Sequence, residues 1–177
     1  MNLPNKLSIA RVLCIPVIAV LLYTDDDTCR IIAGVLFILA SLTDLLDGHI
    51  ARKYNLITDF GKFIDPVADK LLVLTTLVML VRGGLMEAWV VLIILCRELA
   101  VDGLRMVAVG QGKVIAAGKL GKWKTTFQMV TIVVILLFNK ACFATWYTGV
   151  LTGISVALTL WSAVDYFVRN KSVFATK

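Results

Sequence analysis

Six apolar stretches set the limits on what this chain can become. They run over residues 8–23, 30–46, 65–81, 88–109, 125–138 and 146–168, with short polar segments between them. A helix needs about 20 residues to cross the hydrocarbon core of a bilayer. In lipid every backbone group must find its partner within the chain, and a helix provides that. The fifth stretch is short for a crossing, which predicts that its helix starts earlier. Composition agrees: 59% of the residues are hydrophobic and the mean hydropathy is +0.89, values of a multi-span membrane protein rather than a soluble domain. The sequence predicts an all-α integral membrane protein, one domain over residues 1–177, with six transmembrane helices. A short interfacial helix is expected over 1–11, where Pro4 suits a first turn and Leu3, Leu7 and Ala10 share a face. No cleavage signature follows the first apolar run, so no removable signal peptide is expected.

Charge sets the orientation. The net charge is +6. With both ends on one side, that side receives Lys6, Arg11, Arg52, Lys53, Lys62, Lys70, Arg97, Arg105, Lys113, Lys119, Lys122, Lys124, Arg169, Lys171 and Lys177. The other side keeps only Arg30, Arg82 and Lys140, beside an acidic turn at Asp25, Asp26 and Asp27. Cytoplasmic segments carry the excess of Lys and Arg, so both termini are expected in the cytoplasm, near anionic headgroups. Basic charge also suits nucleic acid, but the apolar content argues against that partner. Cys14, Cys29, Cys96 and Cys142 are scattered, which argues against a disulfide framework or a zinc site.

Four carboxylates break the apolar pattern where two stretches meet. Asp44 and Asp47 are three apart; Asp65 and Asp69 are four apart. Both spacings put a pair on one helical face. Two carboxylates about 6 Å apart repel by roughly 3 kcal/mol at an effective dielectric near 20. Near a bilayer each charge costs a further ~2.5–3.5 kcal/mol. Two hard divalent cations, Mg²⁺ or Mn²⁺, would balance the four, and such ions share their open positions with phosphates. A two-metal site that clamps a displacement at phosphorus is the reaction type this suggests. Gly48, Ala51 and Gly61 lie among the carboxylates and allow close approach to the backbone, and Arg52 offers a planar fork for phosphate. A plainer reading exists for each pair. Asp65 precedes Pro66 and fits a helix N-cap; Asp44 and Asp47 fit a helix ending at the interface. His49, the only histidine, reads as a bystander.

The fourth stretch is too polar for a simple lipid-facing span. Arg97, Glu98, Asp102 and Arg105 occupy its second half; Arg97 and Arg105 share a face, and Glu98 and Asp102 are four apart. Charges in a span face the bundle interior or a water-filled cavity. Residues 110–124 follow, rich in Gly and Lys, and read as a cytoplasmic loop.

The pattern Asp44-x2-Asp47-Gly48-x2-Ala51-Arg52-x8-Gly61-x3-Asp65-x3-Asp69 resembles the signature of the CDP-alcohol phosphotransferase family at all eight specified positions. The resemblance implies a membrane enzyme, usually a homodimer, that transfers a phosphatidyl-type group from a CDP-linked donor to an alcohol and releases CMP. It implies Asp44, Asp47, Asp65 and Asp69 as metal ligands, with Asp69 also the general base. Asp44, Gly48, Ala51, Arg52 and Gly61 would bind CDP-diacylglycerol. The N-terminal stretch, with Asn5 and Arg11, would contribute to the site. Residues 97–124 also resemble the branch of the family whose acceptor is sn-glycerol 3-phosphate. Arg97, Arg105, Lys119, Lys122 and Lys124 are the candidates for its phosphate. The expected place is the cytoplasmic membrane of a bacterium, with the 44–69 motif facing the cytoplasm. Other acceptors stay open: serine, an inositol phosphate, or phosphatidylglycerol as in cardiolipin synthesis. A cation transporter would explain the carboxylates, but not Arg52, the motif glycines or the basic region.

Overall fold

A computed structural model describes residues 3–53, 59–113, 115, 118–138 and 144–173. Six α-helices run through them: α1 Leu3–Tyr23, α2 Asp27–Lys53, α3 Asp59–Arg82, α4 Ala88–Gly110, α5 Lys119–Phe138 and α6 Ala144–Arg169. A single 3₁₀ turn, Lys171–Val173, follows, and no strand occurs among the described residues. Among the described residues two helices, over Leu120–Phe138 and Trp146–Arg169, are long and apolar enough to cross a membrane.

Several boundaries differ from the sequence expectation. The interfacial segment is not a separate helix: Leu3–Tyr23 is one continuous element, with Pro16 inside it. The second helix does not stop at 46 but carries the polar run through Arg52 to Lys53. The third begins at Asp59 and holds Pro66 inside it, so Asp65 is not an N-cap. The fifth begins at Lys119, which turns the end of the expected basic loop into helix and supplies the length that 125–138 lacked.

Local chemistry sets the helix ends. The Asp26 carboxylate accepts the Cys29 N–H at 3.1 Å, an N-cap for α2. That backbone donor holds the exposed Asp26 carboxyl below its ordinary value. Helices α3 and α4 both close on a glycine with positive φ, Gly84 at 67° and Gly112 at 70°. In each the next two N–H groups fold back: Gly84 to Val81 and Leu85 to Leu80, Gly112 to Val109 and Lys113 to Ala108. A side chain at either glycine would strain this left-handed turn.

The chain divides into two compact units. One holds Met1–Met86 with Ile132–Asn139; the other holds Glu87–Thr131 with Lys140–Lys177. In the first, α1 packs against both α2 and α3, and those two also meet. The buried face of α1 is Ser8, Arg11, Ile18 and Leu22, at helical spacing. Ala33 and Phe37 of α2 and Ala68, Leu72 and Leu77 of α3 are buried in the same unit. A Cβ at Gly34 would come within 2.9 Å of Leu137 Cδ2 and 3.2 Å of Leu136 Cβ, so this glycine admits the end of α5 against α2. In the second unit α4 packs on α6. Its core gathers Val101, Leu104, Ala108, Tyr166 and Val173.

The acidic turn holds two of the three cations expected on the outer side. Arg82 pairs with Asp25 at 2.9 Å and lies over the Tyr23 ring at 3.9 Å. Arg30 pairs with Asp27 at 3.3 Å.

Candidate active site

The first unit contains the carboxylate motif. Gly61, Asp65 and Asp69 are four apart in turn and line one face of α3. Gly61 is buried and the two aspartates are half-buried. Gly48, Ala51 and Arg52, with Asp44 and Asp47, belong to the last turns of α2, not to a loop. Polar residues end the apolar stretch but not the helix. The side chains of residues 44–53 lie outside the described residues, and so do those of Asn5 and Lys119.

A residue that sequence reasoning missed joins this face. The Ser8 hydroxyl donates to Asp65 Oδ1 at 2.5 Å. Ser8 and Arg11 are each only 1% exposed. They are three apart on α1, which turns both toward the helices it packs against. A serine and an arginine three apart in an apolar run was the available signal.

The donor set is chemically suited to hard divalent cations. All four motif side chains are carboxylates, and Asp65 and Asp69 project from one side of one helix. Among the described residues no group of three or more His, Cys, Asp or Glu side chains gathers; the side chains of Asp44 and Asp47 lie outside them.

The second unit contains a cation cluster. Glu98 Oε1 accepts from Arg97 Nη1 at 2.9 Å and from Lys124 Nζ at 2.5 Å. The Lys124 side chain is 3% exposed, Arg97 10% and Glu98 17%. Arg97 Nε is buried with no hydrogen-bond partner among the described residues. A Cβ on Gly121 would be 3.6 Å from Arg97 Nη2, so α5 presents bare backbone to this guanidinium. Two turns along α4, Arg105 Nε donates to the Tyr166 hydroxyl at 3.0 Å. Lys122 is exposed. The structure therefore brings Arg97 and Lys124 together through Glu98, and places Arg105 with Tyr166 instead.

Comparison with known proteins gives the class. The model of the CDP-alcohol phosphatidyltransferase family matches residues 1–161, and the chain belongs to that family. Among its relatives is the CDP-diacylglycerol–glycerol-3-phosphate 3-phosphatidyltransferase of Bacillus subtilis, 40% identical over 99% of this chain and 98% of the relative. A protein of the same name from Rickettsia typhi is 39% identical over 98% of this chain and 99% of its own length. One from Arabidopsis thaliana is 36% identical over 99% of this chain and 82% of its own.

Proposed function

We propose that this chain transfers the phosphatidyl group of CDP-diacylglycerol to sn-glycerol 3-phosphate, giving phosphatidylglycerophosphate and CMP. The observation that carries the reading is full-length similarity to relatives named for this activity, in a chain that holds all eight motif positions.

Asp44, Asp47, Asp65 and Asp69 would hold two divalent cations, Mg²⁺ or Mn²⁺. Bound there, the ions supply Lewis-acid stabilisation of charge on the phosphate oxygens. The chain's own residues do the rest. Gly48, Ala51 and Gly61 leave room for cytidine and ribose beside the helix backbones, and Arg52 binds phosphate. Arg97, Lys124 and Arg105, with Lys119 and Lys122, hold the acceptor phosphate, which carries about −1.5 to −2 charge at neutral pH. Two buried cations with one carboxylate between them suit such an anion. Asp69 accepts the proton of the acceptor hydroxyl. The hydroxyl oxygen then bonds to the phosphorus attached to the lipid, the pyrophosphate P–O bond breaks, and CMP leaves. Well-oriented reactants can lower a barrier by roughly 7–11 kcal/mol, so holding the hydroxyl in line is the larger task.

All six helices span the bilayer in this reading, with both termini and the 44–69 motif in the cytoplasm of a bacterium. Pairing of Arg30 and Arg82 with the acidic turn supports that orientation, since it leaves little unbalanced positive charge on the outer side. The donor enters sideways from the inner leaflet with its acyl chains in lipid. The enzyme works as a homodimer.

The test is CMP release by purified protein in detergent with CDP-diacylglycerol and Mg²⁺, offering sn-glycerol 3-phosphate, serine, inositol phosphate and phosphatidylglycerol in parallel. Release with sn-glycerol 3-phosphate alone is expected. Release with another acceptor keeps the chemistry and discards the acceptor assignment. No release under Mg²⁺ or Mn²⁺ discards the enzyme and favours cation transport.

A further inference from the structure

We infer that Glu98 is a positioning residue for the acceptor phosphate: it holds Arg97 and Lys124 side by side and turns the open edge of Arg97 toward the anion. The inference rests on the reading of Arg97 and Lys124 as acceptor-phosphate ligands.

A guanidinium binds an oxyanion best along an edge, through two parallel N–H groups. Glu98 takes Nη1 of Arg97. The opposite edge, Nε with Nη2, is the one that remains. Nε on that edge is buried and has no hydrogen-bond partner among the described residues. A buried N–H left in this state is costly, and a ligand oxygen would satisfy it. The same edge faces Gly121, where a Cβ would stand 3.6 Å from Nη2. Glycine thus keeps space beside the edge that Glu98 leaves exposed to a ligand.

The second prong comes from another helix. Lys124 lies 26 positions from Glu98, on α5, and donates to the same carboxylate oxygen. Two cations this deeply buried repel one another unless an anion lies between them. Glu98 supplies a negative charge to both Arg97 and Lys124 and so holds the two cations side by side. A bridge that served only to tie α4 to α5 would need a single cation, and would not require an orphaned Nε beside a glycine.

The experiment compares Glu98→Gln, Glu98→Asp, Arg97→Gln and Lys124→Gln in CMP release, with donor and acceptor varied separately. In Glu98→Gln the KM for sn-glycerol 3-phosphate is expected to rise about tenfold, the scale of one charge-assisted hydrogen bond. The KM for CDP-diacylglycerol stays at the wild-type value. Glu98→Asp falls between. If Arg97→Gln and Lys124→Gln leave the acceptor KM unchanged, the acceptor reading itself fails. If those two raise it while Glu98→Gln only lowers Tm, Glu98 is a tie between helices and the inference is overturned. A lowered acceptor KM in Glu98→Gln overturns it as well, since Glu98 would then be competing with the phosphate. Should Glu98→Gln not fold, Gly121→Ala carries the test. Its added methyl, 3.6 Å from Arg97 Nη2, fills space beside that edge without changing charge or displacing Arg97, so a raised acceptor KM supports the inference and an unchanged one refutes it.

Discussion

Ser8 and Asp65, 57 positions apart, are directly joined: the buried hydroxyl of Ser8 donates to one carboxylate oxygen of Asp65. The bond holds in place the carboxylate that would meet a cation in the proposed site. Outer partners of metal ligands commonly change affinity 10–100-fold when removed. Ser8→Ala is expected to raise the half-saturating Mg²⁺ concentration for CMP release about tenfold. Ser8→Thr keeps the hydroxyl and restores it. A Mg²⁺ titration of Ser8→Ala that overlays the wild-type curve would show that Ser8 only fills space.

Asp69→Asn should fold, still bind CDP-diacylglycerol and lose turnover by about 10²–10⁴-fold, the range for a positioned acid–base group. Donor binding by calorimetry in detergent, beside a CMP assay, separates the two. Full turnover in this variant removes Asp69 from the proton transfer. Asp65→Asn should instead weaken the response to Mg²⁺, and an unchanged response counts against its ligand role.

Tyr166 anchors Arg105 by its hydroxyl and by its ring, whose centroid is 5.5 Å from the guanidinium carbon. Tyr166→Phe keeps the ring, which is packed among Val101, Leu104 and Ala108, and removes the acceptor of the Arg105 N–H. The KM for sn-glycerol 3-phosphate is expected to rise about three- to tenfold, with a small fall in Tm. An acceptor KM that does not move would separate Arg105 from phosphate binding.

The acceptor's own ionisation gives a pH test. A phosphate monoester loses its second proton near pH ~6. Below that pH the monoanion dominates and the cation cluster gains less from binding it. The acceptor KM should therefore rise as pH falls through ~6, while the KM for CDP-diacylglycerol stays level. Parallel changes in both would point to the protein rather than to the acceptor.

Arg82 is paired with Asp25 and stacked on Tyr23, with side-chain exposures of 36% for Arg82 and 60% for Asp25. Exposed ion pairs contribute about 0–1 kcal/mol and an exposed cation–π contact about 0.5–1 kcal/mol. Arg82→Ala should lower Tm by about 2–4 °C and leave both KM values alone. A changed acceptor KM would contradict a purely structural role.

Much of this was legible in the sequence, for identifiable reasons. The helical class followed from the apolar stretches. The helix ends near the motif were not. Hydropathy reports where lipid stops, whereas α2 continues through Asp47 and Arg52 to Lys53, and α5 begins back at Lys119. Tertiary pairings left no local trace. Glu98 reads by spacing as the neighbour of Asp102, yet it meets Lys124 of another helix. Ser8 is a lone hydroxyl in an apolar run, and only its spacing from Arg11 hinted that it lay on a buried face.

The ties between α1 and α3 stand at opposite ends of the pair. Ser8 holds Asp65 near the start of each helix, and Arg82, the last residue of α3, grips Tyr23 and Asp25 where α1 ends. A rise of 1.5 Å per residue separates the two fastenings by roughly 22 Å along α1. A pair pinned this way has a set register, like a rail with a bolt at each end. Sliding α1 by one turn would break both bolts at once, whereas cutting either leaves the other to hold the rail. The position of Asp65 relative to α1 is thereby fixed from both ends of the pair.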